Sequence, residues 1–221
     1  MGPTTLSDDP QTRRQIEAIA NDHRPLLVLD VDEVVLEFLG PFMRWLQSEG
    51  YTFRPLTFAL NGNIFDAKGE VASKTEVEAL VTRFFDIQHE WQVLADGFPE
   101  ALEPLADSAQ IVLLTAMPHQ HFEAREALLT SLSVLYPLVT TEKAKGPAVA
   151  LLHGGRDAPV AFIDDMAYNL ISVAKSLPDA TLIHLMAHRQ MRELMPPLPQ
   201  GIVAASDWSS AAEAARKALG L

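Results

Sequence analysis

The sequence predicts an α/β fold built on a parallel sheet, with a small helical cap inserted after the first strand. Three observations predict it. Leu26-Leu27-Val28-Leu29 is an unbroken apolar run that ends in Asp30-Val31-Asp32, and Val160-Ala161-Phe162-Ile163 ends the same way in Asp164-Asp165. A strand buried on both faces reads as a continuous apolar run, and open α/β sheets place their chemistry beyond the C-terminal ends of such strands. From Gly97 onward, helical and extended patterns alternate, which implies parallel strands joined by right-handed crossovers. Between the first strand and that alternation, helical periodicity interrupts the rhythm.

Each element has a local reason. Asp9-Pro10 opens a helix to about Ala20, with proline at the first helical position. Phe38, Phe42, Trp45 and Leu46 recur at helical spacing until Gly50, a stop signal. Residues 51–69 read as irregular, with turn signals at Asn61-Gly62-Asn63 and Lys68-Gly69. Ser73-Lys74-Thr75-Glu76 is a capping box, and Val77, Leu80, Val81, Phe84 and Phe85 form one apolar stripe behind it, to roughly His89. Then come a helix over Pro99–Asp107, a buried strand over Ile111–Thr115 and a helix over Gln120–Leu129. Tyr136-Pro137-Leu138-Val139-Thr140 is a weaker strand whose proline suggests a sheet edge. A short helix over Pro147–His153 stops at Gly154-Gly155. The Phe162 strand, a helix over Ala167–Ser176, a strand over Thr181–Leu185 and a last helix carrying Trp208, Ala212, Ala215 and Leu219 follow.

A chain of 221 residues can bury one full core plus a small accessory domain. The expected division is a core of residues 1–39 and 96–221 and a cap of residues 40–95. Hydrophobic content of 48% against 21% charged residues is that of a compact globular protein. The net charge of −12 argues against a nucleic-acid polymer, whose backbone needs a basic surface. A small phosphorylated partner is compatible, because a metal and one or two local cations overcome the global field. The absence of cysteine rules out disulfides and thiolate chemistry and suits a reducing compartment. The segment Met1–Asp9 has no basic and apolar pattern of a leader, and no apolar stretch is long enough to span a bilayer. The expectation is a soluble cytoplasmic protein without a membrane partner.

Acids gathered at strand ends repel one another and resist ionising unless a divalent cation sits among them. Oxygen-only ligands suit a hard ion, and Mg²⁺ is the usual choice where phosphate is handled. In chain order the sequence offers Asp30-x-Asp32, Thr115 ending a strand, Lys145 before a helix, and Asp164-Asp165-x-x-x-Asn169. This ordered set resembles the four motifs of the haloacid dehalogenase superfamily of phosphatases over the span from Leu26 to about Leu185. Receiver domains also combine aspartates, threonine and lysine on a similar sheet, but in a different order.

The resemblance implies a Rossmann-like sheet, Mg²⁺ as cofactor, and a role for each motif residue. Asp30 would attack phosphorus and form an aspartyl-phosphate. Asp32, two residues on and so on the same side of an extended chain, would protonate the leaving oxygen and then activate water. Thr115 and the Ala116 N–H would hold phosphoryl oxygens, and Lys145 would neutralise the charge shared between nucleophile and phosphoryl group. Lys143 is a rival for that lysine; Lys145 is preferred because it precedes Gly146-Pro147 and a helix start. Asp30, the Asp32 carbonyl and Asp165 would ligate the metal, with Asp164 helping through water or from behind. Each acid could instead be a plain turn or helix-cap residue.

Two departures bear on the transfer. Glu33 stands where many members have glycine, so the turn after Asp32 is expected to differ. The second aspartate of the first motif is present, which favours phosphoester hydrolysis over carbon–halogen cleavage. The histidines His119, His121, His184 and His188 lack the convergent spacing of a zinc site, although His119 could reach a substrate from its loop. The run from Asp30 to Phe38 together with Thr115-Ala116-Met117-Pro118 resembles the 5′(3′)-deoxyribonucleotidase branch. Phe38, Phe42 and Trp45, with Phe58 and Phe65, are then candidates for stacking on a base, or else they pack the cap's own core. Sugar phosphates, other phosphomonoesters and nucleotides all stay open. A phosphotransferase or mutase, or a non-catalytic scaffold, is the alternative function.

Overall fold

The computed structural model describes residues 9–20 and 22–221. The leader reading of residues 1–8 lies outside the described residues. The chain opens with α1 (Pro10–Glu17) and β1 (Leu26–Leu29). It then inserts α2 (Leu39–Ser48), β2 (Thr52–Phe53), β3 (Ile64–Phe65), α3 (Lys74–Asp86) and α4 (Gln88–Trp91). The alternation follows as α5 (Phe98–Ala106), β4 (Gln110–Thr115), α6 (Phe122–Ser131), β5 (Leu138–Thr140), α7 (Lys145–His153) and β6 (Val160–Asp164). It ends with α8 (Ala167–Ser176), β7 (Thr181–Leu185), α9 (Arg189–Glu193), β8 (Ile202–Ala205) and α10 (Trp208–Leu219).

Six parallel strands form one sheet in the order β5-β4-β1-β6-β7-β8. The Pro137-led strand β5 lies at an edge, where the missing N–H costs no ladder bond. Side chains alternate between two apolar layers, which is why the strands read as continuous apolar runs. Leu27, Leu29, Leu113 and Ile163 pack toward α5, α6 and α10, where Trp208 donates its indole N–H to Val34 O at 2.7 Å. Leu26, Val28, Val112 and Phe162 pack toward α1, α7 and α8. β1 lies between β4 and β6, so successive connections diverge to either side of it. That divergence opens a crevice at the C-terminal end of β1, where such sheets bind ligands.

The insertion has its own apolar cluster, with Phe42, Trp45, Leu46, Ile64 and Phe84 buried. Ser73 caps α3 by accepting the Glu76 N–H at 3.2 Å, as the capping box predicts. The stretch expected to be irregular contains a small antiparallel hairpin, β2 with β3. Asn63 ties its loop together, donating to Thr57 O at 2.7 Å and Ala59 O at 2.6 Å. β8 and α9 also carried no periodic signal: β8 is a mostly exposed edge strand and α9 is a short turn of helix.

Candidate active site

The register of β1 on β6 sets the geometry. Leu29 pairs with Ile163, and the Asp30 N–H continues the ladder to Ile163 O at 2.9 Å, so Asp30 and Asp164 end neighbouring strands side by side. Lys145 begins α7, and its fully buried ammonium lies 2.6 Å from Asp30 Oδ1 and 2.7 Å from Asp164 Oδ2. Lys143, the rival, is exposed. Asp30 Oδ1 also accepts the Val31 N–H at 2.7 Å, whereas Oδ2 has no partner among the described residues.

Asp164 is saturated by the protein. Beyond Lys145 it accepts the Met166 N–H at 2.8 Å and the Asn169 amide at 3.0 and 3.1 Å. Asn169 therefore supports Asp164, not Asp165. The Asp165 carboxylate has no hydrogen-bond or ion-pair partner among the described residues. Oxygens of Asp30, Asp164 and Asp165 all lie within 4.8 Å of one another. Of these, Asp30 and Asp165 resist ionising. Burial pushes Asp30 up to about 7 despite the opposing charge of Lys145, with Asp164 and Asp32 adding to the rise. Burial, then Asp164, Asp30 and Glu33, raise Asp165 well above the ordinary carboxylate range. Burial alone would lower Lys145, but Asp164 and Asp30 outweigh it and hold the ammonium charged. An all-oxygen cluster with one unpartnered carboxylate fits a hard divalent cation.

Asp32 is held from the other side. Its Oδ1 accepts from Arg125 Nη2 at 3.0 Å and from the Gln92 amide at 2.9 Å. Arg125 projects from α6, is fully buried, and also donates to Gln88 and Gln92. Neither Asp32 partner, Arg125 or Gln92, was singled out from the sequence, nor was Gln88 behind them. The available signal was Arg125 itself, which shares a helix face with Phe122, Leu128 and Leu129 and is thereby directed inward.

The Glu33 departure has a structural meaning. Glu33 adopts φ 65°, a left-handed conformation that glycine takes freely and other residues take at a cost. Its carboxylate accepts the N–H groups of Phe38 and Leu39 at 3.2 and 2.9 Å, capping α2, whose own N-cap Phe38 has no polar side chain.

A cavity of about 590 Å³ lies above these groups. Asp30, Asp32, Asp165, Thr115 and Ala116 line it together, so residues up to 135 positions apart in sequence share one wall. Thr115 ends β4, and its hydroxyl accepts the Met117 N–H at 3.3 Å. Of the aromatics expected to meet a substrate, Phe38 and Phe58 line the cavity, joined by Phe85. Phe42 and Trp45 do not: they are 0% and 2% exposed, stacked on each other and packed against Phe84 in the insertion's core, because the helix face they occupy turns inward. Phe65 is likewise buried and packs under Arg54. His119 binds Thr140 and Asp9 at 2.7 and 2.8 Å, anchoring α1, and does not line the cavity.

No family model and no curated protein sequence matches the chain. Solved structures do. The HAD-hydrolase YfnB of Bacillus subtilis, bound to magnesium, aligns at a TM-score of 0.59 and 11% identity, over 86% of this chain and 97% of its own. A HAD family hydrolase of Deinococcus radiodurans, with bound phosphate and sodium, aligns at 0.56 and 15% identity, over 90% and 97%. The fold is haloacid dehalogenase-like. A conserved haloacid dehalogenase-like protein of unknown function from Agrobacterium tumefaciens aligns similarly, at 0.55 and 12% identity over 85% and 96%. In this haloacid dehalogenase-like fold the acidic cluster sits at the C-terminal edge of the central strands, beneath the insertion that follows β1. No helix among the described residues is long and apolar enough to cross a membrane.

Proposed function

We propose that the chain is a Mg²⁺-dependent phosphomonoester hydrolase of the haloacid dehalogenase type, acting on a small phosphorylated metabolite. The observation that carries this reading is Lys145 bridging Asp30 and Asp164 while Asp30 Oδ2 and the Asp165 carboxylate are left unpartnered. In this reading Asp30 Oδ2 attacks phosphorus, and the leaving oxygen departs with a proton from Asp32. Water deprotonated by Asp32 then hydrolyses the aspartyl-phosphate and frees Asp30. Lys145 balances charge on Asp30 as it becomes an acyl phosphate, and Thr115 and the Ala116 N–H hold phosphoryl oxygens.

Asp30, Asp165 and the Asp32 carbonyl would hold Mg²⁺, with Asp164 fixing Lys145 behind them. Bound there, the ion would offset the negative charge of the phosphoryl group. Residues 40–95 act as the cap and residues 1–39 and 96–221 as the core. Nucleoside monophosphates remain among the substrates to be screened, with Phe38 as the surviving candidate from the α2 aromatics. The lack of cysteine suits a cytoplasmic location.

The test is phosphate release from a panel of monoesters with Mg²⁺ and with EDTA. Activity that vanishes with chelator and returns with Mg²⁺ supports the reading. Undiminished turnover in chelator, with no tightly bound metal by elemental analysis, sinks it. Added alcohols that divert phosphate from water would reassign the chain to the transferases.

A further inference from the structure

The cavity is lined unevenly. Asp30, Asp32, Glu33, Glu78 and Asp165 reach it, and among the described residues no lysine, arginine or histidine does. The two cations behind it are committed: Lys145 is buried between Asp30 and Asp164, and Arg125 is buried against Asp32. Away from the acids the wall is apolar. Val77, Val81 and Phe85 recur every fourth residue on α3 and so present one face. Met117, Met186 and Met191 come from the segments beyond β4 and β7. Neutral polar groups there, Asn61 and Thr82 among them, can bond a hydroxyl but cannot balance an anion.

From this lining we infer the substrate class: the phosphate monoester of an uncharged, largely apolar alcohol, aryl or bulky alkyl. Esters whose alcohol carries a carboxylate or a second phosphate are rejected. This inference rests on the phosphomonoesterase reading. One phosphoryl group is matched by Lys145 and a divalent ion, and nothing in the cavity is left to match a second anion. Asp30 and Asp165 are taken up by the divalent ion, Asp32 by Arg125, and Glu78, on the exposed rim, by Lys74 at 3.7 Å. The remaining carboxylate, Glu33, at about 8 Å and an effective dielectric of about 20, disfavours that anion by on the order of 30-fold. Each methylene moved from water onto the apolar wall favours binding by about fourfold. Methionine adapts to irregular shapes, so the preference is for apolarity and not for one outline.

The experiment compares kcat/KM on the full chain with Mg²⁺ for ethyl, butyl and hexyl phosphate against phosphoglycolate. All are alkyl esters, so a difference does not come from an aryl leaving group. Expected are a rise of about fourfold per methylene and a preference of at least about 100-fold for hexyl phosphate over phosphoglycolate. Val81→Lys, placing a cation on the α3 face, should narrow that preference about tenfold, whereas Val81→Met should not. Phosphoglycolate turned over as well as hexyl phosphate, or no gain with chain length, overturns the inference while the hydrolase reading stands. If no ester is hydrolysed, the hydrolase reading falls, and calorimetry of the same ligands on Asp30→Asn with Mg²⁺ decides the inference by itself. Hexyl phosphate binding more tightly than phosphoglycolate supports it; the reverse, equal affinities, or no binding by either, overturns it.

Discussion

Arg125 Nη2 lies 3.0 Å from Asp32 Oδ1, and the guanidinium that makes this contact is wholly buried. The bond joins α6 to the turn after β1, and through Gln88 and Gln92 it also reaches the last helix of the insertion. The proposed acid–base group is thus oriented by the same side chain that locks the insertion to the sheet layer.

Arg125→Met should cost about 3 kcal/mol in urea denaturation, because it strips the Gln88 and Gln92 carbonyls of their donor and leaves the Asp32 carboxylate with the neutral Gln92 amide alone. Arg125→Lys keeps the charge but loses the planar fork. It should fold, hold KM within a few-fold, and lower kcat. A kcat unchanged in Arg125→Lys would mean that Asp32 needs no orienting partner.

Asp32→Asn keeps the backbone carbonyl that would ligate metal but removes the proton donor. Aryl phosphates need that proton least. Single-turnover release of the leaving group should therefore slow far more for alkyl than for aryl phosphates. Steady-state rates could mask this, because Asp32 also serves the hydrolysis step. Equal losses for both classes, with metal binding intact, would remove Asp32 from the acid's role.

Asp30→Asn should abolish turnover and leave the fold intact. Burial, only partly offset by Lys145, holds the Asp30 carboxyl at about 7 in the fold, against 3.8 for an ordinary aspartate. The folded state binds the extra proton between those values, so metal-free stability is highest below pH 4 as far as this group is concerned. It falls as pH rises toward 7, by a few kcal/mol. Melts in EDTA at pH 5 and pH 8 should show this decline in the wild type and a shallower one in Asp30→Asn. Mg²⁺ should restore stability mainly at pH 8. Identical slopes in the two proteins would contradict the assignment.

Gly146→Ala tests how Lys145 is placed. A Cβ at Gly146 would lie 2.2 Å from the Ser172 carbonyl oxygen, so α7 and α8 touch through bare backbone. The alanine must push the helices apart at the residue next to Lys145. We expect a loss of about 2–3 kcal/mol by thermal or urea melting, with reduced turnover even where the variant stays folded. A variant of normal stability would show that the two helices can separate freely.

Local sequence specifies the sheet's inner strands, their two-sided burial, and the acids at their ends. Leu26–Leu29 and Val160–Ile163 are apolar at every position, and only a strand covered on both faces calls for that. It also determined the capped α3 and the edge position of the Pro137 strand. Long-range packing makes Lys145 bridge Asp30 and Asp164, makes Asn169 support Asp164, and leaves Asp165 unpartnered among the described residues. It alone sent Phe42 and Trp45 into the insertion's core, left Phe38 on the cavity, and brought Arg125 to Asp32 across 93 residues. Periodicity reports which face of an element is covered, because burial repeats with the backbone's own period. It does not report whether the covering is protein core or a ligand cavity, nor which distant charge meets which. Those depend on how the elements pack, and packing is a property of the whole chain at once.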